Sequence, residues 1–278
     1  MDRLAIVGNS GMGALCYEPD RHFETAEDEL DLDEIARQCR DILMTDTAEN
    51  LDELFRLGGS SGGARPKILT EIGGEDWIIK FPSSADREDI GKQEYDYSVC
   101  AKACGIEMTE TRLFPSKICQ GYFGIRRFDR HREKDGSIRR IHMLSASAIL
   151  ETSHRIPNLD YDILMKLTME LSKDFSEVEK IFRLMCFNVF AHNRDDHSKN
   201  FSYLYREDED RWILSPAYDL TYSIGGEHAT TVHGNGKNPG MEEILAVAET
   251  AGIDQRKAKN IAEQVRECVY GQLRQYLK

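Results

Sequence analysis

Ala191-His192-Asn193-Arg194-Asp195-Asp196-His197-Ser198-Lys199-Asn200 follows directly on an apolar, helix-like run and sets an aspartate five positions ahead of an asparagine. A further carboxylate, Asp219, comes nineteen residues after Asn200, within Ser215-Pro216-Ala217-Tyr218-Asp219-Leu220. Kinase-type phosphoryl transfer uses this ordered set. One carboxylate takes the proton of the acceptor hydroxyl, while an amide oxygen and a second carboxylate hold Mg²⁺ against the nucleotide phosphates. Asp-x-x-x-x-Asn is the spacing of a kinase catalytic loop, with Asn193-Arg194 standing where His-Arg is usual. Asp196 is the neighbouring rival to Asp195, but only Asp195 has the five-residue register to Asn200. His197 and Lys199 read as loop-structuring or phosphate-side groups rather than bases.

The 278 residues are 40% hydrophobic and 31% charged, which fits a folded chain with a sizeable core in one large domain or two lobes. No run of about 18 apolar residues occurs, so no membrane helix is expected, and no basic-then-apolar leader opens the chain. The seven cysteines are odd in number and scattered. Cys100 and Cys104 share a helix face but have no His or Cys beside them in sequence, so they read as reduced, buried thiols in a cytoplasmic protein rather than a metal site.

Twelve of the acids fall between Glu24 and Glu53 against only Arg37 and Arg40, so that segment carries −10 of the net −13. Such a balance excludes direct nucleic-acid binding, because phosphate neutralisation needs clustered Lys and Arg. The segment reads as a solvated helical face or as a docking surface for a basic partner.

Hydrophobic spacing predicts a short β-piece over Leu4–Val7 and a glycine-punctuated turn through Gly8, Gly11 and Gly13. Helices are expected near Leu32–Met44 and Ala48–Leu57. A strand pair, Ile68–Ile72 and Trp77–Phe81, should turn at Gly73-Gly74. Helix Glu88–Cys104 follows, then strands near Met108–Phe114 and Tyr122–Phe128. From Met143 onward the chain reads as mainly helical, interrupted by a loop region over 191–240. The fold class is therefore α+β: a smaller mixed lobe, 1–128, and a larger helical lobe, 129–278.

Gly58-Gly59-Ser60-Ser61-Gly62-Gly63-Ala64-Arg65-Pro66-Lys67 is a glycine-rich turn ahead of a strand. Its glycines would let backbone N–H groups approach phosphates, and its serines could add donors. It matches neither common phosphate-loop pattern, so a plain linker stays open. Lys80, inside the apolar strand Trp77-Ile78-Ile79-Lys80-Phe81, is costly to bury unless paired. Kinases pair such a lysine with nucleotide phosphates and a helix glutamate, and Glu94 is the natural partner.

Taken in order, Met12-Gly13-Ala14-Leu15, Ser60–Lys67, Ile78–Pro82, Glu94-Tyr95, Ala101–Ile106, Arg127–Arg130, His142–Ser145, Asp195–Ser202 and Ser215–Leu220 resemble the HipA family of kinase toxins. These are the serine/threonine kinase halves of bacterial toxin–antitoxin operons. The resemblance implies a bilobal kinase-like fold and an ATP- and Mg²⁺-dependent protein kinase. Asp195 then corresponds to the catalytic base, Asn200 and Asp219 to the Mg²⁺ ligands, and Lys80 to the ATP-phosphate lysine. Arg126 to Phe128 would form the adenine-side hinge, and Lys199 a phosphate-side group. Ser60, Ser61, Gly62, Gly63 and Ala64 would form the phosphate loop, autophosphorylated at Ser60 or Ser61.

The chain opens almost at the segment that longer members reach after an additional small subdomain, which resembles the short HipT-like toxins. That likeness implies a separate HipS-like subdomain protein and a HipB-like DNA-binding antitoxin as partners. The implied target is a translation component such as an aminoacyl-tRNA synthetase. Two other readings stand beside it: a small-molecule phosphotransferase, against which the Ser60–Lys67 loop argues, and a catalytically silent antitoxin-binding module, against which the intact Lys80, Asp195, Asn200 and Asp219 argue.

Overall fold

The computed structural model describes residues 7–19, 31–45, 65–153 and 159–277. Leu4–Ile6, the expected helix near Ala48–Leu57 and the glycine-rich loop with Ser60, Ser61, Gly62, Gly63 and Ala64 lie outside them. The chain falls into two compact units, Met1–Tyr95 with Thr109–Arg140, and Asp96–Met108 with Ile141–Lys278.

In the first unit the elements are helix α1 (Leu32–Thr45), strands β1 (Lys67–Ile72) and β2 (Glu75–Lys80), the start of helix α2 (Ile90–Ala103), and strands β3 (Thr111–Phe114), β4 (Tyr122–Arg126), β5 (Arg130–Arg132) and β6 (Ile138–Arg140). The four-stranded sheet is antiparallel in the order β1-β2-β4-β3. Its first hairpin turns at Gly73-Gly74, both at positive φ (62° and 80°), as a two-residue turn between twisted strands requires. Alternation along β2 buries Trp77 and Ile79 against Ile68, Phe81, Tyr122, Ala36 and Cys39. Lys80 therefore falls on the other face of the strand.

Helix α1 starts where the Asp31 carboxylate accepts the N–H groups of Asp33 and Glu34 at 3.0 and 3.1 Å. Asp33 in turn accepts from Ser116 Oγ (2.6 Å), Lys117 N–H (2.9 Å) and Tyr122 Oη (2.8 Å). Those donors, Ser116 first, hold its carboxyl below the usual carboxylate range.

The second unit contains β7 (Met143–Ser145), α3 (Ala146–Ile149), β8 (Leu159–Asp160), α4 (Tyr161–Ser172), α5 (Phe175–Phe190), β9 (Ser202–Arg206), β10 (Arg211–Leu214), β11 (Thr230–Thr231), α6 (Met241–Thr250) and α7 (Gln255–Gln272). Asp160, Asp174 and Asp254 cap α4, α5 and α7 through their carboxylates. Helix α5 is buried over most of its length, with Val178, Ile181, Phe182, Met185, Phe187 and Phe190 in the core. Among the described residues no helix is long and apolar enough to cross a membrane.

Three expectations differ from the structure. The 191–240 region is not loop throughout: β9 and β10 form a hairpin that pairs with β7. The pairing of β7 with β9 joins segments some 60 residues apart in sequence, which local periodicity does not report. The expected break after residue 128 falls inside the first unit, which runs on to Arg140 and omits 96–108. Two contacts account for this. Asp129 and Arg130 are tied to the Gly11 and Gly13 backbone, and Tyr97, Cys100, Ala101 and Cys104 belong to the core of the second unit. Finally, Cys100 and Cys104 do have a cysteine neighbour, Cys268 from α7.

Candidate functional site

In the second unit, α5 ends at Ala191, whose carbonyl accepts the Tyr97 hydroxyl at 2.7 Å. His192 then takes a left-handed φ of 52° and turns the chain into the Asp195–Asn200 loop. Asn193, in the place where His is usual, is buried. Its side-chain Nδ2 and backbone N–H donate to the side-chain and backbone oxygens of Asn188, each at 3.0 Å.

The two adjacent aspartates are treated differently. Asp196 is fully buried and accepts from Tyr161 Oη at 2.9 Å and the Thr230 N–H at 3.1 Å, with His228 Nδ1 2.9 Å from its Oδ2. Tyr161 itself receives Asn188 Nδ2 at 2.9 Å. Burial, followed by the Asp196 charge, pushes the Tyr161 phenol well above its usual value, so it remains a donor. A carboxylate held this way is a structural anchor, and it cannot turn to meet a substrate. The Asp195 side chain is 68% exposed, with His197 Nε2 3.8 Å from its Oδ1, and its N–H donates to Ser223 Oγ at 3.1 Å. Of the pair, Asp195 is the one positioned to take a proton from an incoming group.

Across the five-residue register, Asn200 Nδ2 donates to the Asp195 carbonyl at 2.7 Å. This bond fixes the Asn200 amide beside the Asp195 backbone. Asp219 is half-buried with a left-handed φ of 54°, a conformation that costs energy for a residue with Cβ. Its neighbour Tyr218 fixes it in place: the phenol donates to the Lys199 carbonyl at 2.6 Å and lies 2.6 Å from Ser202 Oγ. Leu220 is buried on the other side. The structure thus brings Asp195, Lys199, Asn200 and the Asp219 segment into one bonded loop system. Asn200 and Asp219 together offer hard oxygen donors, the type that suits Mg²⁺. The Lys199 side chain is exposed.

In the first unit, Lys80 pairs with Glu94 of α2. The Glu94 carboxylate is almost fully buried and also takes Arg65 Nη1 at 3.3 Å, while Arg65 Nε reaches Asp86 at 3.1 Å. Glu94 can sit so deep because α2 starts tight against β4: a Cβ on Gly91 would lie 2.2 Å from the Gly121 carbonyl oxygen. Two cations meet on the Glu94 carboxylate, with Asp86 balancing the second, and Lys80, which also lies 5.6 Å over the Phe123 ring, is fixed in place. Sequence gives Arg65 of the glycine-rich stretch no role, because its link to Glu94 spans 29 residues.

The expected hinge residues are also in this unit. Arg126 ends β4 with its guanidinium 3.5 Å from Glu75, and Phe128 is half-buried. The N–H groups of Arg126 and Arg127 donate to the Glu110 and Asp76 carbonyls at 2.9 and 2.8 Å, so both backbone donors are engaged within the unit. Between them and the next strand lies a buried ionic knot. Asp129 is fully buried and accepts from Arg127 at 3.0 and 2.8 Å, Arg130 at 2.8 Å and the Gly13 N–H at 2.7 Å. Burial opposes its ionisation, but the Arg127 hydrogen bonds and the two guanidinium charges outweigh this and hold the carboxyl below its usual value.

A family model described as HipA-like C-terminal domain matches residues 59–272. The chain is 26% identical over 168 residues to the Sinorhizobium fredii protein named Putative kinase Y4dM, covering 56% of this chain and 40% of that protein. It is 28% identical over 156 residues to Putative kinase Y4mE of the same organism, covering 53% and 34%. The matched stretches thus span less than half the length of these curated relatives. Among solved structures, a chain of the Shewanella oneidensis MR-1 toxin–antitoxin complex of HipA, HipB and operator DNA superposes with a TM-score of 0.72 at 15% identity, covering 98% of this chain and 70% of that one. The Helicobacter pylori proinflammatory kinase CtkA superposes with a TM-score of 0.50 at 12% identity, covering 74% and 90%. These likenesses show a mixed α/β, kinase-like fold.

Proposed function

Because the chain belongs to the HipA-like C-terminal domain family, we propose that it is an ATP- and Mg²⁺-dependent protein serine/threonine kinase acting as the toxin of a toxin–antitoxin system. The observation that carries this reading is the bond from Asn200 Nδ2 to the Asp195 carbonyl, which ties an exposed carboxylate to a candidate metal-ligand amide in kinase register. In the reaction Asp195 accepts the proton of a serine or threonine hydroxyl as its oxygen attacks the γ-phosphorus. The bond to the β,γ-bridging oxygen breaks and ADP leaves. Lys80, steadied by Glu94, neutralises phosphate oxygens. Asn200 Oδ1 and the Asp219 carboxylate would hold Mg²⁺, which supplies charge neutralisation at the phosphates.

The finer parts of the reading rest on the family resemblance. The target is a translation component such as an aminoacyl-tRNA synthetase, and the protein acts in the cytoplasm. A HipB-like antitoxin is a partner, as HipB is in the complex with Shewanella HipA, and a small HipS-like protein is a second. The glycine-rich loop grips phosphate and is itself phosphorylated at Ser60 or Ser61. That modification adds about −1.5 to −2 charges where nucleotide phosphates bind, and so lowers ATP affinity.

Brief induction of the wild type and of Asp195→Ala, followed by phosphoproteomics, tests the reading. New phosphosites on one translation factor, and on Ser60 or Ser61, are expected only with the wild type. Indistinguishable phosphoproteomes would overturn it, and ATP-dependent transfer to a small hydroxyl compound alone would move the chain among small-molecule phosphotransferases.

A further inference from the structure

Cys100, Cys104 and Cys268 bring their sulfurs within 4.8 Å of one another. Cys100 and Cys104 stand one turn apart at the C-terminal end of α2. Cys104 closes that helix, with its N–H on the Cys100 carbonyl at 2.8 Å, and Gly105 at φ 77° makes the exit turn. The turn is a Schellman motif: the Ile106 and Gly105 N–H groups bond the Ala101 and Lys102 carbonyls. Arg183 Nη1 donates to the Cys104 carbonyl at 3.1 Å and keeps the helix end in place. Cys268 comes from α7, 168 residues away from Cys100. All three residues belong to the second unit.

Apolar packing alone does not call for three sulfurs at one point; alanine or valine would fill the same space. The contacts the thiols make to backbone are long. Cys100 Sγ lies 3.9 Å from the Cys268 carbonyl, Cys268 Sγ 3.9 Å from the Cys100 carbonyl, and Cys104 Sγ 4.0 Å from the Val265 carbonyl. Gln272 Nε2 lies 3.4 Å from Cys268 Sγ, a donor of the kind that steadies a ligating thiolate. Cys100 and Cys104 are buried, while Cys268 is partly exposed and leaves an entry path from solvent.

We propose that Cys100, Cys104 and Cys268 form a trithiolate site for a thiophilic closed-shell metal ion such as Zn²⁺, clamping the C-terminal helix α7 to the end of α2. Zinc–sulfur bonds of about 2.3 Å place thiolates on one ion roughly 4 Å apart, so the sulfurs need only a small contraction. Soft thiolates select zinc or monovalent copper over the hard ions that suit the Asp219 site. Among the described residues no fourth His, Cys, Asp or Glu joins the three, so a water at the Cys268 side completes a tetrahedral set. Binding displaces the thiol protons.

Reduced, full-length protein titrated with Zn²⁺, and with Cd²⁺ as a spectroscopic probe, tests the site. One tightly held ion per chain is expected, with protons released, three thiols protected from a thiol-specific reagent, thiolate-to-cadmium charge-transfer absorption and a higher Tm. Cys268→Ser, whose side chain is partly exposed, should fold without metal and bind at least about tenfold more weakly, since even indirect supports of a metal site cost that much. Cys16→Ser, in the other unit, should bind as the wild type does. Failure to retain Zn²⁺ after desalting overturns the site, as does retention unchanged by Cys268→Ser. Formation of a Cys100–Cys268 disulfide in place of metal uptake, under mild oxidation and with zinc present, also counts against it.

Discussion

The Tyr218 hydroxyl donates to the Lys199 carbonyl at 2.6 Å, which leaves Ser202 Oγ, also 2.6 Å away, as the donor to Tyr218. One side chain therefore joins the segment carrying Asp219 to the residue just before Asn200 and to β9. Burial lifts the Tyr218 phenol well above its ordinary value, so it stays a donor throughout the working pH range.

Tyr218→Phe keeps the ring and removes both bonds. Stability should fall by about 1–2 kcal/mol, as for loss of a hydrogen bond with a stranded partner. Phosphoryl transfer should fall roughly tenfold to a hundredfold, the scale expected when reacting groups shift slightly. Thermal melts and initial rates at saturating ATP measure the two effects. A variant as active as wild type would show that Asp219 is held by other means.

Asp196→Ala is expected to fail through folding rather than chemistry. It strips a fully buried carboxylate from Tyr161, Thr230 and His228, and breaking such a network costs about 3–5 kcal/mol. Circular dichroism and thermal melts should show a large loss of stability. A stable but inactive Asp196→Ala, with an active Asp195→Ala, would reverse the assignment of the two residues.

Lys80→Met should retain its fold and lose phosphoryl transfer by about 10²-fold or more, the scale of removing one preorganised cationic or hydrogen-bonding group. Glu94→Gln should lose less, because Lys80 keeps its charge while its anchor is weakened. Nucleotide affinity by calorimetry and steady-state rates distinguish binding from chemistry. Full activity in Lys80→Met would remove the first unit from the proposed reaction.

Asp129 makes the first unit acid-sensitive. Its folded-state carboxyl titrates below the ordinary value of 3.8, so the stability it contributes is complete above that value and drains away as pH falls through the lower folded one. Asp129→Asn should cost about 3–5 kcal/mol near neutral pH by stranding Arg127 and Arg130. It should also flatten the acid limb of a Tm-against-pH curve. An unchanged acid limb would show that other carboxylates control it.

The parts legible in sequence are those whose cause is local. Gly73-Gly74 between alternating strands specifies a hairpin whatever surrounds it, and the apolar spacing of Leu32, Ile35, Ala36 and Cys39 specifies α1. The pairing of Lys80 with Glu94 follows from the cost of burying an unpaired lysine in β2. The features that local sequence does not report are set by distant partners. β9 pairs with β7 only once the chain has folded back, and Cys268 meets Cys100 across 168 residues. The five-residue register pointed to Asp195, but the burial of Asp196 depends on Tyr161 and Thr230, neither of them near it in sequence. The place of Asn193 is similar: its bond to Asn188 explains how this loop forms without the usual histidine.

The most direct measurement is incorporation of labelled γ-phosphoryl from ATP, with Mg²⁺ present, into protein serine or threonine by wild type and Asp195→Ala prepared identically. Incorporation by the wild type, abolished by chelation and lowered about 10²–10⁴-fold in a folded Asp195→Ala as loss of a general base requires, is the expected result. Equal incorporation by the two proteins would contradict the role of Asp195 and with it the proposed kinase chemistry.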